Sequence, residues 1–202
     1  MRISFLTLLA EGRSILREKG SRFLGFAYPV KDESVIRQRL EELKKEYFDA
    51  THHCYAWVLG PDSEKFRAND DGEPGHSAGD PILGQIRSRK LTNTLVVVVR
   101  YYGGTNLGVS GLIKAYKETA AATLDNAEIH EERVMINWQM EFDYDRMPEV
   151  MKFIKSVEGQ VTRREEAETC RLLLLLPADA DPKYFAVKAL ERGGSVIRVS
   201  GL

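Results

Sequence analysis

The sequence predicts an α+β protein of two domains, residues 1–130 and 134–202. Three observations predict it. Half-buried and fully apolar strand patterns alternate with amphipathic helices, the order after Arg133 reads βαββαβ, and the charged stretch Glu128 to Arg133 separates that order from what precedes it. With 202 residues, 43% of them hydrophobic and 29% charged, the chain can bury a core in each domain and does not have the composition of a disordered one.

In the first domain, Phe23 to Pro29 is expected as a strand. Ser34 to Tyr47 follows as a capped amphipathic helix with Val35, Ile36, Leu40 and Leu43 on its apolar side, and His53 to Leu59 as a second strand. Residues 68–81, ANDDGEPGHSAGDP, hold three Gly, two Pro and four carboxylates and read as a loop, from which a short helix carrying Ile82, Leu83 and Ile86 leads away. Leu95 to Tyr101 is apolar and mostly β-branched up to Arg100, the mark of a central strand. It runs into GGTNLGVSG (Gly103 to Gly111) and then an Ala-rich helix, Leu112 to Asn126.

In the second domain, Val134 to Tyr144 alternates, with Val134, Ile136, Trp138, Met140 and Phe142 on one face. Asp145 is expected to cap a helix with Pro148 in its first turn, an apolar side of Val150, Met151, Ile154 and Val157, and a stop at Gly159. Strands near Gln160 to Arg164 and Cys170 to Leu176 follow. Asp181-Pro182 opens a second helix with Phe185, Val187, Ala189 and Leu190 on its apolar side; Gly193-Gly194 stops it, and Ser195 to Val199 is the last strand.

The net charge of -1 excludes attraction of polyanions by bulk charge, so any contact with nucleic acid requires a local patch. Leu95 to Val99 and Leu172 to Leu176, the longest apolar runs, fall far short of the roughly 20 residues that span a bilayer. Together with the absence of a signal-peptide pattern, this leads to the expectation of a cytoplasmic protein without membrane contact. Cys54 and Cys170 have no metal-site spacing and are expected to be reduced, with Cys170 a packing residue.

Two loops hold residue types suited to chemistry. A strand that ends in a Gly-rich loop and opens a helix suits anions, because glycines let the backbone approach closely and the helix start presents free N–H groups. Here Gly103, Gly104, Asn106, Gly108 and Ser110 form the loop, and Val109 stands where a P-loop would place its lysine, which disfavours Walker-type hydrolysis. Arg100, Tyr101, Tyr102 and Lys114 flank the loop and, with Arg87, Arg89 and Lys90, make a candidate surface for phosphates and stacked bases. The plainer reading is that the glycines only turn the chain and pack the helix.

The acidic loop offers Asp70, Asp71, Glu73, His76 and Ser77 for a hard cation or acid–base work, although its spacing matches no known ion loop. An acidic turn braced by its own hydrogen bonds is the simpler alternative. Cys54 beside His52 and His53 is a weak nucleophile candidate, since neighbours in a strand point to opposite faces. Ser110 and Lys114 are more simply a helix N-cap and a solvated lysine than a dyad. No catalytic residue, metal ligand or cofactor is assigned.

Four ordered blocks, KGSRFLGFAYPV (Lys19 to Val30), DATHHCYAWVLG (Asp49 to Gly60), RANDDGEPGHSAGDPIL (Arg67 to Leu83) and LTNTLVVVVRYYGGTNLGVSGLIKAY (Leu91 to Tyr116), resemble the IMPACT family. Over its full length the chain is similar to the bacterial YigZ subgroup of that family. Gly75-His76-Ser77 stands where Ser-Gly-Thr is common, and Asn106 where a lysine often lies, so any phosphate binding would fall to Arg100, Lys114 and backbone N–H groups.

The resemblance implies an N-terminal α/β sandwich like the second domain of ribosomal protein S-five, a fold shared with parts of elongation factor G and with small-molecule kinases. It implies a C-terminal ferredoxin-like domain similar to those of elongation factor G, in agreement with the βαββαβ order read independently. It also implies a link to translational control. The expected function is therefore a non-enzymatic RNA- or ribosome-binding protein connected with translation regulation. The alternatives are an enzyme or sensor holding a small phosphorylated ligand at the Gly-rich loop, and a regulator that binds a protein partner.

Overall fold

Leu95 to Val99 contains no polar residue, so both faces of this strand must be covered, and in the computed structural model both are. The structure describes residues 2–192 and 195–201, and the chain divides into two compact units, Ser4–Glu132 and a second that gathers Arg133 onward with the residues up to Ile3.

The larger unit runs β1 (Ser4–Leu8), β2 (Gly12–Glu18), β3 (Ser21–Pro29), α1 (Glu33–Glu46), β4 (His52–Leu59), β5 (Lys65–Asn69), α2 (Gly79–Ser88), β6 (Thr94–Tyr101), α3 (Gly108–Asp125) and β7 (Ile129–Arg133). Five strands form one sheet in the order β2-β3-β6-β4-β5 with every neighbouring pair antiparallel, and β1 pairs with β7. Alternation along the strands sorts the core into two layers. Val96, Val98, Phe23 and Cys54 pack under α2 and α3 against Ile82, Ile86, Tyr116 and Leu124, while Leu95, Val97, Val99, Phe26 and Trp57 pack against Ile36 and Leu43 of α1. Asp32 caps α1, its Oδ1 accepting from the backbone N–H groups of Ser34 at 2.8 Å and Val35 at 3.1 Å.

The second unit runs β8 (Met135–Phe142), a 3-10 turn (Tyr144–Arg146), α4 (Met147–Ser156), β9 (Gln160–Glu166), β10 (Cys170–Pro177), α5 (Pro182–Glu191) and β11 (Arg198–Gly201). Its antiparallel sheet has the order β11-β8-β10-β9, which puts the first and third strands of the βαββαβ unit at the centre. Met140, Phe142, Leu172, Leu174 and Cys170 bury their side chains against Val150, Ile154 and Ala189. None of the helices among the described residues is long and apolar enough to cross a membrane.

Several expectations are corrected. Strands β1, β2, β5 and β7 lie in stretches with no clean alternation or with loop composition, and their pairing with neighbours makes them strands. The stretch expected to hold the domain boundary forms β7, and the division between the two units falls within it, between Glu132 and Arg133. Asp145 does not cap α4, which Arg146 precedes; its carboxylate instead accepts from Ser195 Oγ at 3.0 Å. Met151, Val187 and Leu190 are exposed, because the buried stripe of each short helix is narrower than its apolar content and faces inward through Val150, Ile154 and Ala189. Ser110 is not an N-cap either, since α3 begins two residues earlier, after Leu107. The stop expected at Gly193-Gly194 lies outside the described residues.

One glycine of the Gly-rich loop is required by packing rather than by a ligand. A Cβ on Gly103 would come within 1.9 Å of the backbone carbon of Gly20, whereas one on Gly104 would meet nothing within 4 Å, although its φ is +83°. Gly103→Ala is therefore expected to lower stability by about 2 kcal/mol or more, and Gly104→Ala by about 1 kcal/mol, read from urea unfolding midpoints.

Candidate functional site

At one end of the larger sheet the register sets Phe23, Arg100 and His52 abreast on the face that α3 covers. Arg100 is only 5% exposed, and arginine does not lose its proton in proteins, so its position demands a carboxylate. Glu73 supplies it from the acidic loop. Its Oε1 accepts from Arg100 Nη1 at 2.7 Å and from the Tyr116 hydroxyl at 2.7 Å, and His52 Nε2 lies 3.8 Å away. His52 Nδ1 is 2.8 Å from the Asp71 carbonyl, which can only accept, so that nitrogen carries a proton. Tyr116 packs edge-on against Phe23 with ring centroids 5.2 Å apart.

The cluster holds the two loops at their roots. Arg100 Nη2 reaches Ser21 Oγ at 3.4 Å, and the same oxygen accepts from the Gly103 backbone N–H at 3.1 Å. The Arg100 guanidinium lies 5.5 Å from the Tyr102 ring centroid and 5.4 Å from that of Phe23. The acidic loop before α2 and the Gly-rich loop before α3 are thereby joined through one buried ion pair.

Other groups of the acidic loop are engaged by the protein itself. Asp70 accepts from the backbone N–H groups of Gly79 at 2.8 Å, Ala78 at 2.9 Å and His76 at 2.9 Å, at the start of α2. Burial works against its charge, yet these three bonds together outweigh burial and hold its carboxyl below the usual carboxylate range. Asp71 Oδ2 accepts from the His53 backbone N–H at 2.6 Å, and Ser77 is buried with its hydroxyl donating to the Pro74 carbonyl at 2.6 Å. His76 is exposed, its Nδ1 2.6 Å from Asp80, and that bond raises its pKa. Burial, foremost among several causes, pushes the Cys54 thiol far up, which leaves it protonated and unsuited as a nucleophile at neutral pH.

The candidate phosphate-binding residues do not form one surface. Arg100 is buried under the site instead of facing solvent, because Glu73 satisfies its charge. Arg89 donates to Asp125 Oδ1 at 2.6 Å, at the far end of an 18-residue helix about 27 Å long, so Arg87, Arg89 and Lys90 lie away from the Gly-rich loop. Arg87 sits 4.0 Å over the Phe66 ring. Around the loop itself, Gly103, Gly104, Asn106, Gly108 and Ser110 are exposed, Tyr102 is 48% exposed and the Lys114 side chain 75%. Tyr101 leaves β6 on the opposite face, where its hydroxyl donates to Asp49 at 2.7 Å and Arg22 lies 4.5 Å over its ring. Tyr116 is a participant that sequence reasoning missed, as is Arg22, and His52 is considered there only beside Cys54 and not as a neighbour of Glu73. Only the alternation of the strands could have pointed to the last two.

Residues 19–124 match the family model described as the Impact N-terminal domain. The chain is 30% identical to IMPACT family member YigZ of Escherichia coli over 88% of each chain. It is 35% identical to IMPACT family member YvyE of Bacillus subtilis over 70% of this chain, a match spanning 65% of that relative. A crystal structure of a hypothetical protein superposes with a TM-score of 0.77 at 29% identity, covering 98% of this chain and 97% of the other.

Glu73→Gln leaves the Arg100 charge buried without its counter-ion and is expected to destabilise by about 3 kcal/mol or more in chemical unfolding. The double change Glu73→Gln with Arg100→Met, which buries no charge, recovers part of that loss. For Asp70 the folded pKa is the lower one, so its contribution is complete above the unfolded value near 3.8 and fades as pH falls through the folded value. An Asp70→Asn variant should show a deficit of roughly 1 kcal/mol at pH 7 that closes in acid, followed by thermal melts from pH 7 to pH 2.5.

Proposed function

The chain belongs to the IMPACT family, and from that premise we propose that it is a non-enzymatic RNA- or ribosome-binding protein connected with translation regulation. One observation carries this reading: the β6–α3 connection presents an exposed aromatic ring, an exposed Gly-rich backbone and an exposed cation together, the cation being Lys114, which lies 3.9 Å from Glu118 in a solvent-exposed pair. Tyr102 stands at the edge, with the Arg100 guanidinium 5.5 Å from its ring, and Lys114 projects from α3 with its side chain 75% exposed. Leu107, which precedes the helix, offers no side-chain cap, so the first-turn N–H groups of α3 stay open to an anion.

The physics of such a surface suits single-stranded nucleic acid. A base stacked on Tyr102 is worth about 1–3 kcal/mol, and phosphate contacts to Lys114 and the loop backbone supply salt-dependent affinity. Arg100 serves here as a support for the tyrosine and the loop, not as a phosphate ligand. The net charge of -1 favours a small footprint with sharp dependence on a few residues. Asp70, Asp71 and Glu73 each commit carboxylate oxygen to protein donors, which favours binding over acid–base catalysis at this site. The open first turn of α3 also supports a second reading, a small phosphorylated ligand at the same loop.

Sedimentation of the tagged protein from lysate on sucrose gradients tests the proposal. Migration with ribosomal particles or RNA that high salt or nuclease abolishes is expected, and Tyr102→Ala is expected to weaken binding about 5- to 100-fold. Migration as free protein at low salt, with a thermal shift on adding nucleotides or sugar phosphates, would overturn it in favour of the second reading.

A further inference from the structure

The opposite face of the same sheet end carries three exposed arginines. On the β2–β3 hairpin Arg17 stands directly across the ladder from Arg22, and Arg13 across from Phe26, all on the face that α1 only partly covers. Directly opposed residues have Cβ atoms about 5 Å apart, and like charges at that spacing destabilise a hairpin. Among the described residues neither Arg17 nor Arg22 has a carboxylate in ion-pair range, whereas Arg13 lies 3.6 Å from Glu11, which also meets Arg39 at 3.2 Å. Two exposed cations at directly opposed positions of a hairpin, with no described carboxylate in ion-pair range, are an arrangement an anion would relieve.

The surroundings say which anion. The three arginines line a groove of about 360 Å³ whose floor and walls are Ile15, Leu24, Phe26 and Tyr47. Ile15 is 68% exposed between Arg13 and Arg17, an apolar step in the middle of a cationic strand. Arg22 stacks on Tyr101, and Arg13 lies 5.6 Å from the Phe26 ring. The carboxylates near the groove are at its rim: Glu11 beside Arg13, Asp49 on the Tyr101 hydroxyl and Glu46 beside Tyr47. Cations that pair with phosphates, alternating with apolar and aromatic surface that takes base faces, are the chemistry of a single-stranded nucleic acid site. A peptide recruited by backbone pairing would add beside the free edge of β2, leaving the arginine face unused.

We propose that Arg17, Arg22 and Arg13, with Ile15 and Tyr47, form a second contact surface for the backbone and bases of single-stranded RNA, on the sheet face opposite Tyr102. This rests on the reading of the chain as an RNA-binding protein. Tyr101 and Tyr102 are consecutive, with Arg22 over the first ring and Arg100 beside the second, so the two surfaces meet at one end of the sheet.

The test is titration of the full chain against a fluorescent single-stranded RNA of about 12 nucleotides at several salt concentrations. Arg17→Ala with Arg22→Ala should lower affinity at least tenfold and flatten the plot of log K against log salt by about 1.4, at 0.7 per lost phosphate contact. Both side chains are exposed, and removing the two opposed cations together should leave the melting temperature of the free protein unchanged or slightly higher. Unchanged affinity and slope in that variant, with wild-type binding intact and sensitive to Tyr102→Ala, would overturn the groove and leave the function standing. No binding of the RNA by wild type would overturn both. Arginine-dependent binding of a poly-glutamate peptide in place of RNA would assign the groove to an acidic protein partner and overturn it as an RNA surface.

Discussion

The larger unit depends on one buried charge. Arg100 ends a strand that is otherwise apolar and covered on both faces, and its guanidinium must be met where it lies. Glu73, 27 residues earlier in the chain, meets it, and Tyr116 donates to the same carboxylate oxygen from α3. A strand, a loop and a helix therefore share one acceptor. The acidic loop cannot lift without exposing that pair to loss of its partner, and the Gly-rich loop begins from a backbone N–H tied to Ser21, itself touched by Arg100.

This rigidity gives the sheet end two distinct faces. Tyr102 and the loop lie above the ion pair, while Tyr101, stacked under Arg22, belongs to the side of the sheet that α1 covers. A chain with nearly equal numbers of cations and anions can still expose local positive charge when most arginines are matched within the fold. Arg89 with Asp125, Arg133 with Asp179 and Arg171 with Glu141 are matched in this way. Those left over, Arg17 and Arg22 above all, are the ones that carry an electrostatic signal outward.

Much of the fold was legible from periodicity, because the inward positions of β3, β4, β6, β8 and β10 must be apolar in register with their neighbours. Edge elements were not legible. β5 reads KFRAN and β2 reads GRSILRE, and such segments become strands only because a neighbour supplies the ladder. In the helices of the second unit, apolar content overstated burial: Val187 and Leu190 face solvent while Ala189 and the Phe185 ring, stacked on Phe153 at 4.2 Å, face the core.

The sequence by itself determined the α+β class, the βαββαβ order and the presence of two polar loops of unusual composition, since these follow from spacing along one chain. Tertiary structure alone decided which charges meet. Glu73 looked like a free ligand and is a buried counter-ion, Arg100 looked like a phosphate contact and is its partner, and Arg17 and Arg22 drew no notice until the hairpin register set them opposite each other. Ion pairing depends on distance and burial, and both are set by the meeting of segments far apart in the chain, which no local pattern encodes.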